Sequence, residues 1–297
     1  MYNHMKKISI IIVTYNSEDH IYDCLASIHK YNDLNDHLEI IVVDNNSNDC
    51  KTVFKKISEL YPHINLINNP INGGYGQGNN LGIEKASAPI IMIMNPDVRL
   101  VEPILMDAYD SFQKNGNLAI LGMKQWYNEK TPGLSFDVDS LDSNPIFSIF
   151  KSKISNKLNW FDSKTMYING SCFFVRKKYF DLAGKFDESL FLYCEEKDLH
   201  RRITSLSPKI SVEFNKKMNY LHLVGDRTLS YKSSLNLLES ELYYARKFGV
   251  SESDCLHKRL RIIQFYLLLQ FIKRQKDNSN VLQQLKNEYK RRINNLQ

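Results

Sequence analysis

Three short apolar runs in this chain each end in a cluster of polar side chains. Thr14-Tyr15-Asn16 follows ISIIIV, Asp44-Asn45-Asn46-Ser47 follows LEIIVV, and Asn95-Pro96-Asp97 follows IIMIM. One such cluster alone is a turn or a helix cap, the ordinary role of Ser17 and Ser47. Three at the carboxyl ends of neighbouring strands would converge on one rim, where open α/β sheets bind ligands. Asp44, directly after a buried strand, is placed to accept hydrogen bonds from a base or a ribose. Asp97 stands where a carboxylate can hold a divalent cation that in turn grips a diphosphate.

Further along, Asn72-Gly73-Gly74-Tyr75-Gly76-Gln77-Gly78-Asn79-Asn80 sets four glycines in nine residues. It lacks the Lys-Ser/Thr ending of a phosphate-binding P-loop and is not a clean GxGxxG. The glycines allow close backbone approach to a ligand, or a tight turn, ahead of a helix predicted from Asn79 to Lys85. The segment Phe186-Asp187-Glu188 to Arg201-Arg202 gathers carboxylates in an apolar frame, with Glu195, Glu196 and Asp198 at a predicted helix start. The helix dipole favours their anionic forms there. Two of the three are accounted for by i,i+4 pairing with Arg201 and Arg202; chemistry needs only one, as a general base. His222, between Tyr220-Leu221 and Leu223-Val224, reads as a core histidine on its own and as a metal ligand if Asp97 is its partner.

These residues need a scaffold, and the apolar pattern supplies one. Ile8–Val13 and Leu38–Val43 are unbroken β-branched runs separated by a helical stretch, Ile21–Tyr31, which is the pattern of a parallel sheet covered on both faces. A helix over Val53–Leu60, a strand at Ile64–Ile67, the helix after the glycines and a strand at Pro89–Met94 continue it. The first hundred residues are therefore expected to form a βαβαβα sheet of nucleotide-binding type. Beyond Asp97 the pattern predicts a helix over 103–116, strands at Leu118–Met123, Met166–Val175 and Ile210–Phe214, and a long irregular stretch over about Gln125–Lys164. The end of the chain reads as helices: Ser234–Phe248, an apolar run Ile262–Ile272 flanked by basic residues, and a last helix striped by Leu282, Leu285, Tyr289, Ile293 and Leu296.

The chain has 297 residues, is 43% hydrophobic and 24% charged, and contains 12 Gly, 8 Pro and 5 Cys. That excludes a disordered, collagenous or disulfide-stapled chain. No apolar run is long enough to cross a bilayer, and Ile8–Val13 is too short for a signal peptide. Five cysteines with no CxxC pair read as reduced thiols in a cytoplasmic protein. The formal charge of +6 is concentrated at the end: twelve Lys and Arg against four Asp and Glu from Arg246 onward, leaving 27 basic against 29 acidic residues before it. No nucleic-acid recognition motif accompanies it.

In this order, the segments IIIVTYNS, IIVVDNNSND, NGGYGQGNNLGI, IIMIMNPDV, NGSCFFVRKKYFDLAGKFDESLFLYCEEKDLHRRI and LHLVG resemble the inverting family 2 glycosyltransferases of the GT-A fold, over about residues 8–225. The NPDV form and the FDE–FLY–EEKD block particularly resemble bacterial enzymes that build O-antigen or capsular polysaccharide, including a rhamnosyltransferase-like branch. The resemblance implies an α/β fold with a mostly parallel Rossmann-like central sheet flanked by helices and a helical C-terminal extension. It implies a catalytic domain over 1–232, with a nucleotide-binding half 1–100 and an acceptor half 101–232, and a basic helical region over 233–297. It further implies a nucleoside-diphosphate sugar (UDP- or dTDP-linked) as donor, a saccharide acceptor, and Mn²⁺ or Mg²⁺ as cofactor. Thr14, Tyr15, Asn16, Asp44, Asn45, Gly74, Asn79, Asn95 and Asp97 would bind the donor. Asn95 and Asp97 stand at the family's Asp-x-Asp motif, with Asn in the first place, and His222 matches a late His that completes the metal site. Glu196 occupies the position of the usual Asp base, and the choice between Glu195 and Glu196 stays open. The departures at Asn95 and Glu196 also keep open a nucleotide-sugar-binding protein with impaired catalysis.

Trp126, Tyr127, Trp160 and Phe161 lie in the irregular stretch. Trp126 and Trp160 are candidates for stacking on acceptor sugar rings, with anchoring of a long loop as the alternative. The run IIQFYLLLQFI, between Lys258-Arg259-Leu260-Arg261 and Lys273-Arg274-Gln275-Lys276, is too short to span a bilayer but suits its interface. A lipid-linked acceptor at the inner face of the cell membrane would make that useful. A helix buried against the catalytic domain, a homodimer contact and a solvated basic face are the other accounts.

Overall fold

The β-branched runs form strands where the pattern places them, and helices fill the intervals. A computed structural model describes residues 5–141, 143–223, 229–273 and 278–296. The expected Val224-Gly225 and the basic flank Arg274-Gln275-Lys276 lie outside the described residues. In chain order the first part holds β1 (Ile8–Thr14), α1 (Glu18–Lys30), β2 (Leu38–Asp44), α2 (Cys50–Leu60), β3 (Asn65–Asn68), α3 (Gly74–Lys85), β4 (Ile90–Met94), β5 (Val98–Leu100), α4 (Leu105–Lys114) and β6 (Leu118–Trp126). Then follow β7 (Phe136–Val138), α5 (Pro145–Leu158), β8 (Met166–Ile168), β9 (Cys172–Arg176), α6 (Lys177–Leu182), α7 (Glu195–Leu206), β10 (Ser211–His222), α8 (Tyr231–Lys247), α9 (Glu252–Lys273) and α10 (Ser279–Asn294).

Eight strands form one sheet in the order β3-β2-β1-β4-β9-β6-β10-β5, and β7 pairs with β8 in a small second sheet. Strands β3, β2, β1 and β4 run parallel, as do β6 and β10. β9 is antiparallel to both β4 and β6, and β5 is antiparallel to β10. The mostly parallel α/β fold expected from the sequence is therefore present. Apolar side chains point both ways from β1, which is why its run is unbroken. Ile8, Ile10 and Ile12 join Ile21, Leu25 and Ile28 of α1 and Val53 and Ile57 of α2 on one face. On the other face α3 lies against β1 and β2.

The glycine-rich segment differs from the expectation. The helix begins at Gly74 rather than Asn79, so the glycines sit inside it and serve helix–sheet packing. A Cβ on Gly82 would lie 2.5 Å from Ile11 Cγ2, and one on Gly78 would lie 2.7 Å from Val13 Cγ1. Gly74 has φ +85°, and a Cβ there would collide with the Phe191 carbonyl oxygen. Gly82→Ala is thus expected to destabilise the fold by about 1–3 kcal/mol, the usual cost of overpacking. Urea denaturation checks this, and an unchanged midpoint would contradict the packing role.

Two further segments correct the sequence reading. The stretch over Gln125–Lys164 is not irregular throughout: β6 runs on to Trp126, and α5 is a 14-residue helix. Asn144 caps α5, its side chain accepting from the Ile146 and Phe147 N–H groups at 3.0 and 3.3 Å, and Pro145 occupies the first turn. The single strand expected over Met166–Val175 is two strands, interrupted at Asn169-Gly170-Ser171.

The chain divides into two compact units. The first, Met1–Asp137, Phe161–Phe191 and Glu195–Val224, contains the eight-stranded sheet. The second, Val138–Trp160, Leu192–Cys194 and Gly225–Gln297, holds α5 together with α8, α9 and α10. In the second unit α9 packs against α5, α8 and α10. Leu282, Leu285, Tyr289 and Ile293 of α10 are buried as their spacing predicts, whereas Leu296 is exposed. Part of the basic excess is paired: Arg292 meets Glu239 at 2.6 Å and Glu288 at 2.8 Å, and Arg259 meets Glu241. Among the described residues no helix is long and apolar enough to cross a membrane. All five cysteines are buried.

Candidate active site

The parallel register of β1 and β2 sets Thr14 beside Asp44, so their polar side chains meet where both strands end. The Thr14 hydroxyl donates to Asp44 Oδ2 at 3.0 Å, and the Ser47 N–H donates to Asp44 Oδ1 at 2.8 Å. Each carboxylate oxygen keeps acceptor capacity for a further donor. Asn16 and Asn46 adopt left-handed backbone, with φ 47° and 65°. Asn16 N–H donates to the Ser47 hydroxyl at 2.8 Å, and Asn48 N–H donates to Asn16 Oδ1 at 3.1 Å. Tyr15 projects from this rim into solvent.

Asn45 and Asn79 lie deeper. Asn45 Nδ2 donates to the Gly74 carbonyl at 2.8 Å, and Asn69 Nδ2 donates to Asn45 Oδ1 at 3.0 Å, tying the β2 end to the first turn of α3. Asn79 Nδ2 donates to the Tyr75 carbonyl at 2.9 Å, and its buried Oδ1 has no partner among the described residues.

After β4 the chain turns through Asn95-Pro96-Asp97 into β5. Antiparallel pairing aligns Val98 with His222, and the Leu223 N–H donates to the Asp97 carbonyl at 3.0 Å. This brings Asp97 Oδ2 to 3.3 Å from His222 Nε2. His222 is buried, and neither ring nitrogen has a hydrogen-bond partner among the described residues. A buried imidazole held against a carboxylate fits a divalent cation better than it fits a satisfied core histidine. Among the described residues no cluster of three or more His, Cys, Asp or Glu could hold a metal. Asp97 and His222 would offer a divalent cation one carboxylate and one imidazole nitrogen.

The acidic block is sorted by its partners. Asp198 is fully buried and is held by Arg202 through Nε at 2.8 Å and Nη2 at 2.6 Å. It is the i,i+4 pair expected from the sequence. Glu195 is buried, whereas Glu196 is half-exposed at the start of α7. Desolvation raises the Glu196 carboxyl above its ordinary value and the charge of Asp137 adds to it, while hydrogen bonds from its own main chain and that of Gly170 partly offset the shift. A Cβ on Gly170 would come within 3.3 Å of Glu196 Cδ, so the β8–β9 connection lies directly on the carboxyl.

That connection runs toward the β4 end. The Asn95 N–H donates to the Ser171 carbonyl at 2.9 Å. The Ser171 hydroxyl lies 2.9 Å from both Gln125 Oε1 and the Tyr220 hydroxyl, in a buried triangle closed by a Tyr220–Gln125 bond of 2.9 Å. Burial pushes the Tyr220 phenol well up, and Asp97 adds to the shift. On the other side the Tyr75 hydroxyl donates to the Gly170 carbonyl at 2.6 Å. Its phenol too is pushed well up by burial and then by Glu196 and Glu195. Gly170, Ser171 and Tyr220 thus link Glu196 to the Asp97–His222 pair.

Sequence reasoning missed Tyr75, Gln125, Asp137, Gly170, Ser171 and Tyr220. Tyr75 lay inside a segment read as loop, and the break at Asn169-Gly170-Ser171 was the available signal for the rest. The aromatic candidates fall in different units. Trp126 ends β6, with its indole N–H donating to Asn219 Oδ1 at 2.9 Å, and Trp160 follows α5 and is exposed.

Residues 9–182 match the model of glycosyl transferase family 2. A poly(ribitol-phosphate) beta-glucosyltransferase of Bacillus spizizenii is 29% identical over 160 residues, covering 50% of this chain and 25% of that protein. Rhamnosyltransferase WbbL of Escherichia coli is 26% identical over 256 residues, covering 80% of this chain and 92% of that protein. Among solved structures, the mannosyltransferase PcManGT of Pyrobaculum calidifontis, in complex with GDP-Man and Mn²⁺, superposes with a TM-score of 0.61 at 13% identity. The superposition covers 82% of this chain and 65% of that one, and it shows a shared fold.

Proposed function

The chain belongs to glycosyl transferase family 2, and from that premise we propose that it is an inverting sugar transferase of bacterial surface polysaccharide synthesis. Its donor is a UDP- or dTDP-linked sugar, and its acceptor is a saccharide hydroxyl, carried on a lipid. The observation that carries the reading is the link from Glu196, through Gly170 and Ser171, to Asp97 and His222.

The reaction is a single displacement. The acceptor hydroxyl oxygen bonds to the anomeric carbon as the bond from that carbon to the diphosphate oxygen breaks. Glu196 takes the hydroxyl proton. Its raised carboxyl makes it a stronger base than an ordinary glutamate. Glu195 is buried beside it. Positive charge develops on the sugar in an oxocarbenium-like transition state. Thr14, Asp44 and Asn16 order the rim that takes the nucleoside, with Tyr15 free to cover it. Asp97 and His222 would hold Mn²⁺ or Mg²⁺. When bound, that ion neutralises charge on the departing diphosphate.

Incubation of the chain with a panel of UDP- and dTDP-sugars and Mn²⁺ tests this. The expected result is slow release of nucleoside diphosphate from at least one donor, accelerated by a saccharide acceptor. Binding of donors without turnover of any of them would instead favour a nucleotide-sugar-binding protein.

A further inference from the structure

Helix α5 is built inside out. Its buried positions are Pro145, Ser148, Ser152 and Ser155, whereas Phe147, Phe150, Ile154 and Leu158 are 64%, 49%, 56% and 67% exposed. At 3.6 residues per turn those four side chains fall within an arc of about 80°, and Lys151 and Lys157 flank it on either side. Trp160 follows the helix at 53% exposure, with the Lys151 ammonium 5.8 Å from its ring. The surface continues onto α9, which packs on α5 in the same unit. Phe150 and Phe265 meet edge to face at 5.8 Å, and Leu268, Phe271 and Ile272 are 55%, 83% and 65% exposed. α5 contains no acidic residue, and α9 contains none after Asp254.

The geometry points to a docking face for an anionic lipid surface, made by the outer side of α5 together with the last turns of α9. Large apolar side chains bordered by lysines and backed by a small-residue inner face are what an interfacial helix requires. The lysines lie where the ammonium groups reach phosphate while their stems cover apolar surface. A second copy of the chain fits less well. A two-fold contact would bring Lys151 and Lys157 of both copies together in a desolvated interface, with no carboxylate from either α5 to compensate. This face is distinct from the residues proposed for sugar transfer, so its test needs neither donor nor acceptor.

The experiment is co-sedimentation of the full chain with phosphatidylcholine vesicles, with and without phosphatidylglycerol. Binding is expected to the anionic vesicles, weakening as salt is raised. The combined change Phe147→Ser, Ile154→Ser and Leu158→Ser is expected to lower the partition coefficient by at least about tenfold, with little change in melting temperature because these side chains are mostly in water. A second measurement does not alter the face: in a Trp126→Phe chain, brominated lipid in the same vesicles is expected to quench Trp160 emission. Absence of binding at low salt overturns the proposal. So does undiminished binding by the folded triple variant, unquenched Trp160 in the bound chain, or a dimer in ultracentrifugation that the triple variant dissociates.

Discussion

Glu196→Gln is expected to lower sugar transfer by about 10²–10⁴-fold, the contribution of a positioned general base, while donor binding is retained. The amide keeps the shape of the side chain and its place beside Gly170 but cannot accept the hydroxyl proton. Glu195→Gln should cost less, because Glu195 is buried and only Glu196 is half-exposed at the start of α7. Asp198→Asn acts differently again: it breaks the buried pair with Arg202 and is read as lost stability rather than lost chemistry. The raised Glu196 carboxyl also gives the rate a sign with pH. The base works only when ionised, so activity falls as pH drops through its pKa, and the acid limb should lie above the ordinary glutamate value of about 4.3. Loss of that limb in Glu196→Gln, with residual activity flat across it, assigns the limb to this group. Near-wild-type turnover in the variant would remove Glu196 from the role.

Asp97→Ala should be the second severe change. It would remove one of the two residues proposed to hold the cation and leave the buried His222 without the Asp97 carboxylate. Loss of a supporting outer-shell partner costs about 10–100-fold in metal affinity, and loss of a direct ligand should exceed that. Electron paramagnetic resonance titration with Mn²⁺ reads the change without turnover, with and without UDP. His222→Ala should weaken Mn²⁺ in the same direction, and the double variant should add little to the worse single one, because both act on one ion. Unaltered Mn²⁺ binding in Asp97→Ala would place the cation elsewhere.

How much of this was legible depended on whether the signal was local. The parallel half of the sheet was legible because strands buried on both faces cannot alternate, and Ile8–Thr14, Leu38–Asp44 and Ile90–Met94 therefore read as continuous apolar runs. The polar residues closing those runs followed from the same pattern. The pairing of Asp97 with His222 was not visible in any periodicity. It depends on the antiparallel register of Val98 with His222, a contact 124 positions apart in the chain. The glycine-rich segment misled because glycine signals close approach without saying of what; here the neighbours are Ile11, Val13 and the Phe191 carbonyl. Helix α5 escaped for the opposite reason. Its apolar residues do recur at helical spacing, but the side they mark faces outward and serine faces in, and flanking Ser, Asn and Asp gave the whole region the texture of a loop.

In the proposed reaction the acidic start of α7 and the turn after β4 serve one bound donor. Co-crystallisation with Mn²⁺ and a non-hydrolysable UDP-sugar, with anomalous scattering recorded at the manganese edge, measures this directly. A single manganese peak flanked by Asp97 and His222 is expected, with the nucleoside on the Thr14–Asp44 rim and the anomeric carbon on the side facing Glu196. A donor bound with its sugar turned away from Glu196, or a manganese peak remote from Asp97, would contradict it.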